Sequence, residues 1–185
     1  SREAIQQFER EVRLTCQLTH PNTIQIYDYG YTPEGMFYYV MEYLRGLNLK
    51  ELVDRFGAQP EGRVIHILAH ICDALQEAHQ KGLVHRDVKP ANVFLCNRSG
   101  IPDSIKVLDF GLVREYRLEP KAAGDAETAV AGTPQFMSPE AIQSTSLVDP
   151  RSDLYSLGAL GYYLVTGQHV FTDRSLAEVL RRHRE

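Results

Sequence analysis

The stretch LVHRDVKPANVFL, residues 83–95, decides how this sequence folds and what it can do. Five polar or charged side chains lie within eight of its positions, between two short apolar runs. An aspartate can accept the proton of an attacking hydroxyl, and a lysine two positions on can neutralise a transferred phosphoryl group. An asparagine five positions after the aspartate can offer an oxygen to Mg²⁺. The spacing of Asp87, Lys89 and Asn92 therefore indicates phosphoryl transfer.

Two further motifs follow in the chain. Asp109-Phe110-Gly111 begins seventeen positions after Asn92, and its carboxylate can hold a metal ion while its glycine lets the backbone turn. Ser138-Pro139-Glu140 comes later, inside GTPQFMSPE. The order of the three motifs is as informative as their residues, since a chance match would have to reproduce the residues and the order together.

In that order, HRDxKxxN, DFG and SPE resemble the motifs of the eukaryotic-type protein kinase family. Lys89 and Thr133 are closer to its Ser/Thr branch, and GTPQFMSPEAI is similar to bacterial members. The resemblance covers the whole chain and implies an α+β, protein-kinase-like fold. It implies a partial small lobe, with the family's helix C and its fourth and fifth strands, and most of the mainly helical large lobe. The expected division of the partial domain, 1–185, is small-lobe remnant 1–41, hinge 42–47 and large lobe 48–185, up to about the family's helix G.

The resemblance also implies ATP as phosphate donor, with Mg²⁺ or Mn²⁺ as the metal ion. It assigns the substrate hydroxyl to Asp87, the γ-phosphate to Lys89, and the metal ion to Asn92 and Asp109. The positions that it assigns to nucleotide binding are the helix glutamate Glu11, the gatekeeper Met41, the hinge residues Glu42 to Leu44, and Phe94 beneath the adenine.

Regulatory positions follow from the same resemblance. Arg86 and Arg114 would bind a phosphate on Thr128, which is the only serine or threonine between Gly111 and Gly132. Thr133 would hydrogen-bond toward the catalytic aspartate and lysine. The alternative for Thr128 is an ordinary loop residue.

Other residues have structural alternatives. The resemblance makes His85 a packing residue and Asp153 an anchor beneath the catalytic loop. Asp87 alone could cap a loop, Asp109 could form a turn, and Glu11 could be a plain helix-surface residue.

Composition excludes several functions. The net charge is −4 and Lys and Arg are scattered, so no nucleic-acid partner is expected. The three cysteines form no CxxC pair, which disfavours a disulfide framework or a zinc site and fits a cytoplasmic setting. No signal peptide begins the chain, and its longest apolar stretch is too short to span a membrane. A membrane anchor elsewhere in a longer parent protein stays open.

Periodicity predicts the elements around the motifs. We expect an opening helix at about 1–19, two aromatic-rich strands at 23–31 and 35–44, a short helix at 48–56 and a long helix at 60–82. Two short strands should follow at 93–96 and 104–108, then an aperiodic segment at 111–139, an apolar helix at 152–167 and a charged last helix at 175–185.

The resemblance to the family is incomplete, because two of its motifs are missing from this sequence. No Gly-rich loop or strand lysine precedes Glu11, so we expect a kinase fragment that is truncated at both ends and inactive alone. The expected partners are proteins phosphorylated on Ser or Thr, with the oligomeric state open. One alternative is a pseudokinase that serves as a binding scaffold. A weaker one is a small-molecule kinase of the aminoglycoside or choline type.

Overall fold

A computed structural model describes residues 9, 12–98, 101–110, 133–172 and 175–185. Helical residues 12–15 precede five strands and five helices. The strands are β1 (Ile26–Tyr31), β2 (Phe37–Met41), β3 (Gly46–Asn48), β4 (Val93–Arg98) and β5 (Ile101–Val107). The helices are α1 (Leu49–Phe56), α2 (Glu61–Gln80), α3 (Pro139–Gln143), α4 (Pro150–Thr166) and α5 (Leu176–Arg184). Strands thus come first and helices dominate the rest, which is the predicted α+β layout.

The first sheet is the antiparallel hairpin of β1 and β2. Tyr29 pairs with Tyr39 and Tyr31 with Phe37, so aromatic rings face each other across one surface. The Tyr31 and Phe37 ring centroids lie 5.3 Å apart. Gly35 has φ 82° in the connecting turn, a conformation that glycine adopts without strain. The predicted pair of strands is confirmed.

The second sheet has the order β3-β4-β5, with both pairs antiparallel. β3 was not predicted, because Gly46 was interpreted as the end of the preceding strand pair. The glycine is required within the strand: a Cβ there would lie 1.9 Å from the carbonyl oxygen of Leu95. An isolated bridge from Thr23 to Val107 joins this sheet to the segment before β1.

Capping residues set the helix boundaries. At α1, the Asn48 side chain accepts the Glu51 N–H while the Glu51 carboxylate accepts the Asn48 N–H, a complete capping box. At α4, Asp149 caps the N-terminus before Pro150, and left-handed Gly167 ends the helix. The predicted helices at these places are confirmed.

The main core lies between α2, α4 and the second sheet. Its completely buried members include Ile67 and Ile71 on α2, Leu160 and Leu164 on α4, and Ile105 on β5. This packing fixes the ends of α2 and β4, and residues 83–92 connect those two ends. None of the helices in the described ranges is both long and apolar enough to cross a membrane.

Candidate active site

The polar loop after α2 is anchored from below by one buried carboxylate. Asp153, 1% exposed on α4, accepts the backbone N–H groups of His85 and Arg86, each at 2.8 Å. Arg86 has φ 67°, a left-handed conformation that is costly for a residue with a side chain. The two hydrogen bonds offset that cost and hold the turn that directly precedes Asp87.

His85 is a packing residue, as interpreted from the sequence. It is completely buried, and its ring centroid lies 4.6 Å from that of Phe110. Its Nε2 lies 2.8 Å from the carbonyl oxygen of Leu108, which can only accept, so Nε2 carries the hydrogen. Its Nδ1 accepts the Asp87 N–H at 3.3 Å. His85 thereby ties the loop to the residues around Asp109.

Three of the predicted catalytic side chains meet at the Asp87 carboxylate. Lys89 Nζ lies 2.5 Å from its Oδ2, and Asn92 Nδ2 donates to the same oxygen at 3.1 Å. Asn92 Nδ2 also donates to the Asp87 carbonyl oxygen at 2.9 Å. Because the amide nitrogen is used this way, Asn92 Oδ1 is the atom left to bind a cation. The described hydrogen bonds to the carboxylate all end on Oδ2, so Oδ1 can receive a proton.

Asp109 lies beside this group in an environment that disfavours its ionised form. Burial raises the pKa of Asp109, and the Asp87 carboxylate raises it further, while His85 and Lys89 act in the opposite direction. Its φ of 55° is also left-handed. A carboxylate placed at such a cost next to a second carboxylate suits a bound cation, which would stabilise both.

The predicted nucleotide positions in the described residues lie on β2, on the connection from β2 to β3, and on β4. Met41 ends β2 and is 41% exposed, and residues 42–45 connect β2 to β3 outside either strand. Phe94, half-buried on β4, pairs with Asn48 on one side and Lys106 on the other. Glu42 takes a further role, because its carboxylate forms an ion pair with Lys106, whose side chain is 5% exposed.

Thr133 lies near the catalytic loop. Thr133 and Asp87 line the same cavity, which has a volume of about 10 Å³ and could hold a water molecule. Three predicted site residues lie outside the described residues: Glu11, Arg114 and Thr128.

Sequence reasoning missed three residues that support the site. His79 Nε2 lies 2.7 Å from Asp153 Oδ2, and Lys106 donates to the Thr23 carbonyl oxygen at 2.9 Å as well as pairing with Glu42. Glu77 contacts residues more than fifty positions earlier. No local pattern marks these residues, because each acts on a distant part of the chain.

Glu77 holds the loop between the first helical residues and β1. Its carboxylate accepts the Thr19 N–H and hydroxyl and the His20 N–H, each at 3.0 Å. Lys81 Nζ lies 2.8 Å from the same carboxylate and also donates to the Gln17 carbonyl oxygen. Burial acts to raise the pKa of Glu77, but these hydrogen bonds outweigh it and lower that pKa to about 2.

Comparison with known proteins agrees with this geometry. The family model of the protein kinase domain matches residues 1–185. The serine/threonine-protein kinase pkn3 of Myxococcus xanthus is 37% identical over 182 residues, which cover 97% of this chain and 33% of that protein. Pkn1 of the same organism is 40% identical over 183 residues, covering 98% and 25%. PknB of Mycobacterium tuberculosis is 40% identical over 182 residues, covering 95% and 28%.

The chain therefore spans about a quarter to a third of the length of these curated relatives. The match of the family model extends over every residue of the chain, and the polar loop, its buried anchor and the Asp109 turn lie within it. On these grounds the chain belongs to the protein kinase domain family.

Proposed function

We propose that this chain carries the catalytic centre of a serine/threonine protein kinase, which transfers the γ-phosphate of ATP to hydroxyl groups of protein substrates. The observation that carries the proposal is the hydrogen-bonded group of Asp87, Lys89 and Asn92. It lies on a loop whose backbone is fixed by the buried Asp153. Positioning of this kind is what phosphoryl transfer requires, because the reaction needs little covalent chemistry from the protein. The names of the relatives support the same activity.

In the proposed reaction, a substrate Ser or Thr oxygen forms a bond to the γ-phosphorus while the bond to the ADP oxygen breaks. The hydroxyl proton goes to Asp87, whose Oδ1 lies opposite the oxygen that Lys89 and Asn92 occupy. Lys89 balances negative charge on the transferred group. Its Nζ lies 2.5 Å from Asp87 Oδ2, so it also holds the orientation of the carboxylate that accepts the proton.

The residues present fit a bound Mg²⁺ ion. Asn92 offers Oδ1, and Asp109 offers a carboxylate whose pKa burial and Asp87 raise. Oxygen ligands of these types are the ones that Mg²⁺ prefers. When bound, the ion would neutralise phosphate charge. Mn²⁺ takes similar ligands and could replace it.

The nucleotide would lie between the two sheets. We propose that the backbone of residues 42–45 pairs with the adenine edge through groups other than the Glu42 N–H, which binds the Gln25 carbonyl oxygen, with Met41 beside the ring and Phe94 beneath it. The Glu42 carboxylate would not take part, because it is bound to Lys106 and to the Gln25 N–H. Glu11 would pair with the phosphate-binding lysine of the full domain. Arg86 and Arg114 would bind a phosphate on Thr128, and Thr133 would hydrogen-bond toward Asp87 and Lys89.

The substrates of the whole protein would be proteins with accessible Ser or Thr. We place the domain in the cytoplasm, where ATP is available. The free thiols of Cys16 and Cys72 support a reducing environment.

The test is phosphate transfer by the full-length protein from labelled ATP to a Ser/Thr peptide library. Asp87→Asn keeps the shape of the side chain but removes the proton acceptor, so we expect transfer to fall by about 10²- to 10⁴-fold. Asp54→Asn is the matched control, because Asp54 is exposed on α1. Near-parental transfer by Asp87→Asn would refute the assigned role. Binding of Mg²⁺ and ATP by the parent without any transfer would favour a scaffold instead.

A further inference from the structure

The outer face of α2 carries two histidines that are one helical turn apart. His66 and His70 are separated by four positions, and their ring centroids lie 4.2 Å apart at an interplanar angle of 49°. His66 is exposed and His70 is half-buried, and the proposed catalytic centre uses neither. Side chains four positions apart on a helix point the same way, so the two rings can reach one ligand together.

The hydrogen bonding of His70 leaves its outer nitrogen ready to bind a metal ion. His70 Nδ1 lies 2.8 Å from the carbonyl oxygen of His66, which can only accept, so Nδ1 carries the hydrogen. In the neutral ring, Nε2 then has a free lone pair. Histidines that ligate metals commonly donate their other N–H to a backbone carbonyl in this way, which fixes the ring orientation.

A third donor comes from β5. His66 Nε2 lies 3.4 Å from the carbonyl oxygen of Asp103, a long hydrogen bond in which Nε2 carries the hydrogen, so metal binding there would leave the ring hydrogen on Nδ1. Two ligands at metal–ligand distances of about 2.1 Å on one tetrahedral ion are about 3.4 Å apart. The observed separation therefore equals that of neighbouring ligands on a zinc-like ion.

The position of this carbonyl is fixed. Asp103 has φ 54°, and its carboxylate is held by two hydrogen bonds from Arg63, each 2.7 Å long. Arg63 also donates to Gln59 at 2.8 Å, so the guanidinium itself is immobilised. A donor that is fixed before binding loses little entropy when the ion arrives.

We propose that His66 Nε2, His70 Nε2 and the Asp103 carbonyl oxygen form a surface site for a divalent transition-metal ion such as Zn²⁺, with water completing the coordination. Imidazole ligands suit Zn²⁺, Ni²⁺ and Cu²⁺ rather than Mg²⁺. The site joins α2 to the start of β5, and it contains no cysteine.

Two features limit the affinity of the site. In the described part of the chain, no group of three His, Cys, Asp or Glu side chains could hold a metal ion, so the third protein ligand is the weaker carbonyl oxygen. The ring centroids must also separate by about 1 Å for both Nε2 atoms to reach one tetrahedral ion. The exposed His66 ring can make that rotation, and metal titration tests whether the two rings bind one ion.

The experiment is calorimetric titration of the metal-free chain with Zn²⁺, in a Cys72→Ser background that removes the exposed thiol. We expect one ion per chain. Zn²⁺ at a hundredfold excess over its Kd should raise the thermal midpoint by about 5 to 10 °C. Co²⁺ in place of Zn²⁺ should give a visible spectrum without a sulfur charge-transfer band.

His66→Ala and His70→Ala should each weaken binding by about tenfold or more, because each leaves a single imidazole. His169→Ala is the matched control, since it removes a half-buried histidine from a different part of the molecule and should leave the affinity unchanged. Circular dichroism would verify that all variants fold. Parental affinity in either α2 variant, or an equal loss in the control, would overturn the proposal.

Discussion

Asp153 accepts the backbone N–H of His85 at 2.8 Å, although 68 positions separate the two residues in the chain. The acceptor is almost completely buried at the start of α4, and the donor belongs to the loop that presents Asp87. The geometry of the proposed catalytic centre is therefore set by a helix that contributes no side chain to the chemistry.

Removal of this anchor should destabilise the protein. Asp153→Ala leaves the N–H groups of His85 and Arg86 without this acceptor, each costing about 1–3 kcal/mol, so we expect a loss of about 2–6 kcal/mol. Urea denaturation followed by circular dichroism measures it. Asp149→Asn is the control, because Asn caps a helix as well as Asp and should change stability by less than about 0.5 kcal/mol. Equal losses in both variants would contradict the anchoring role.

A methyl group at Gly46 should also be destabilising. The added Cβ would lie 1.9 Å from the Leu95 carbonyl oxygen, so β3 and β4 would have to separate. We expect a loss of about 1–3 kcal/mol for Gly46→Ala, measured by thermal unfolding. Gly158→Ala, on the open face of α4, has no atom within 4 Å and should gain about 0.5–1 kcal/mol. The same sign of change in both variants would show that the close contact does not matter.

The ion pair of Lys106 and Glu42 should be strongly coupled. Both side chains are at most 11% exposed, so Lys106→Met removes the cation that pairs with a nearly buried carboxylate and should cost about 3–5 kcal/mol. The double variant with Glu42→Gln should recover part of that loss. Lys50 and Asp54 form the control pair, being 61% and 51% exposed, and their coupling should stay below about 1 kcal/mol. A double-mutant cycle on each pair compares them, and indistinguishable coupling energies would refute the distinction.

Glu77 should make stability depend on pH in acid. Its pKa is about 2 in the folded protein, below the ordinary value of 4.5, so its stabilising contribution is present above pH 4.5 and is lost as pH falls toward 2. Glu77→Gln should therefore be less stable than the parent at pH 7, and the difference should shrink between pH 4.5 and 2. Denaturation at a series of pH values tests this. Curves that stay parallel would mean that the carboxylate charge contributes nothing.

Local patterns predicted most helices and strands. Pro60 and Gly82 bracket α2, observed at Glu61–Gln80, because a proline and a glycine mark helix ends whatever packs against them. β3 was missed for a reason that is not local. Gly46 interrupts a pattern, and only the carbonyl of Leu95 across the sheet shows why a strand needs it there.

The candidate site likewise contains residues that the sequence predicted and residues that it did not. The spacing of Asp87, Lys89 and Asn92 along one loop led to their assignment, and the structure brings the three side chains together. In the sequence, Lys106 resembles any charged residue of a strand. Only the structure shows that its ammonium is buried between Glu42 and Thr23. These partners of Lys106 are 64 and 83 positions away, so the periodicity of the local sequence cannot predict them.

The fastening of residues 17–25 limits how the β1–β2 hairpin can move. Glu77 and Lys81 hold the start of this segment, Val107 holds Ile24, and the Glu42 N–H binds the Gln25 carbonyl oxygen where β1 begins and β2 ends. Because the hairpin is held along its base, it can tilt about that base but cannot slide along it. Opening or closing of the hairpin over the proposed adenine position would therefore be a tilt about this fixed base.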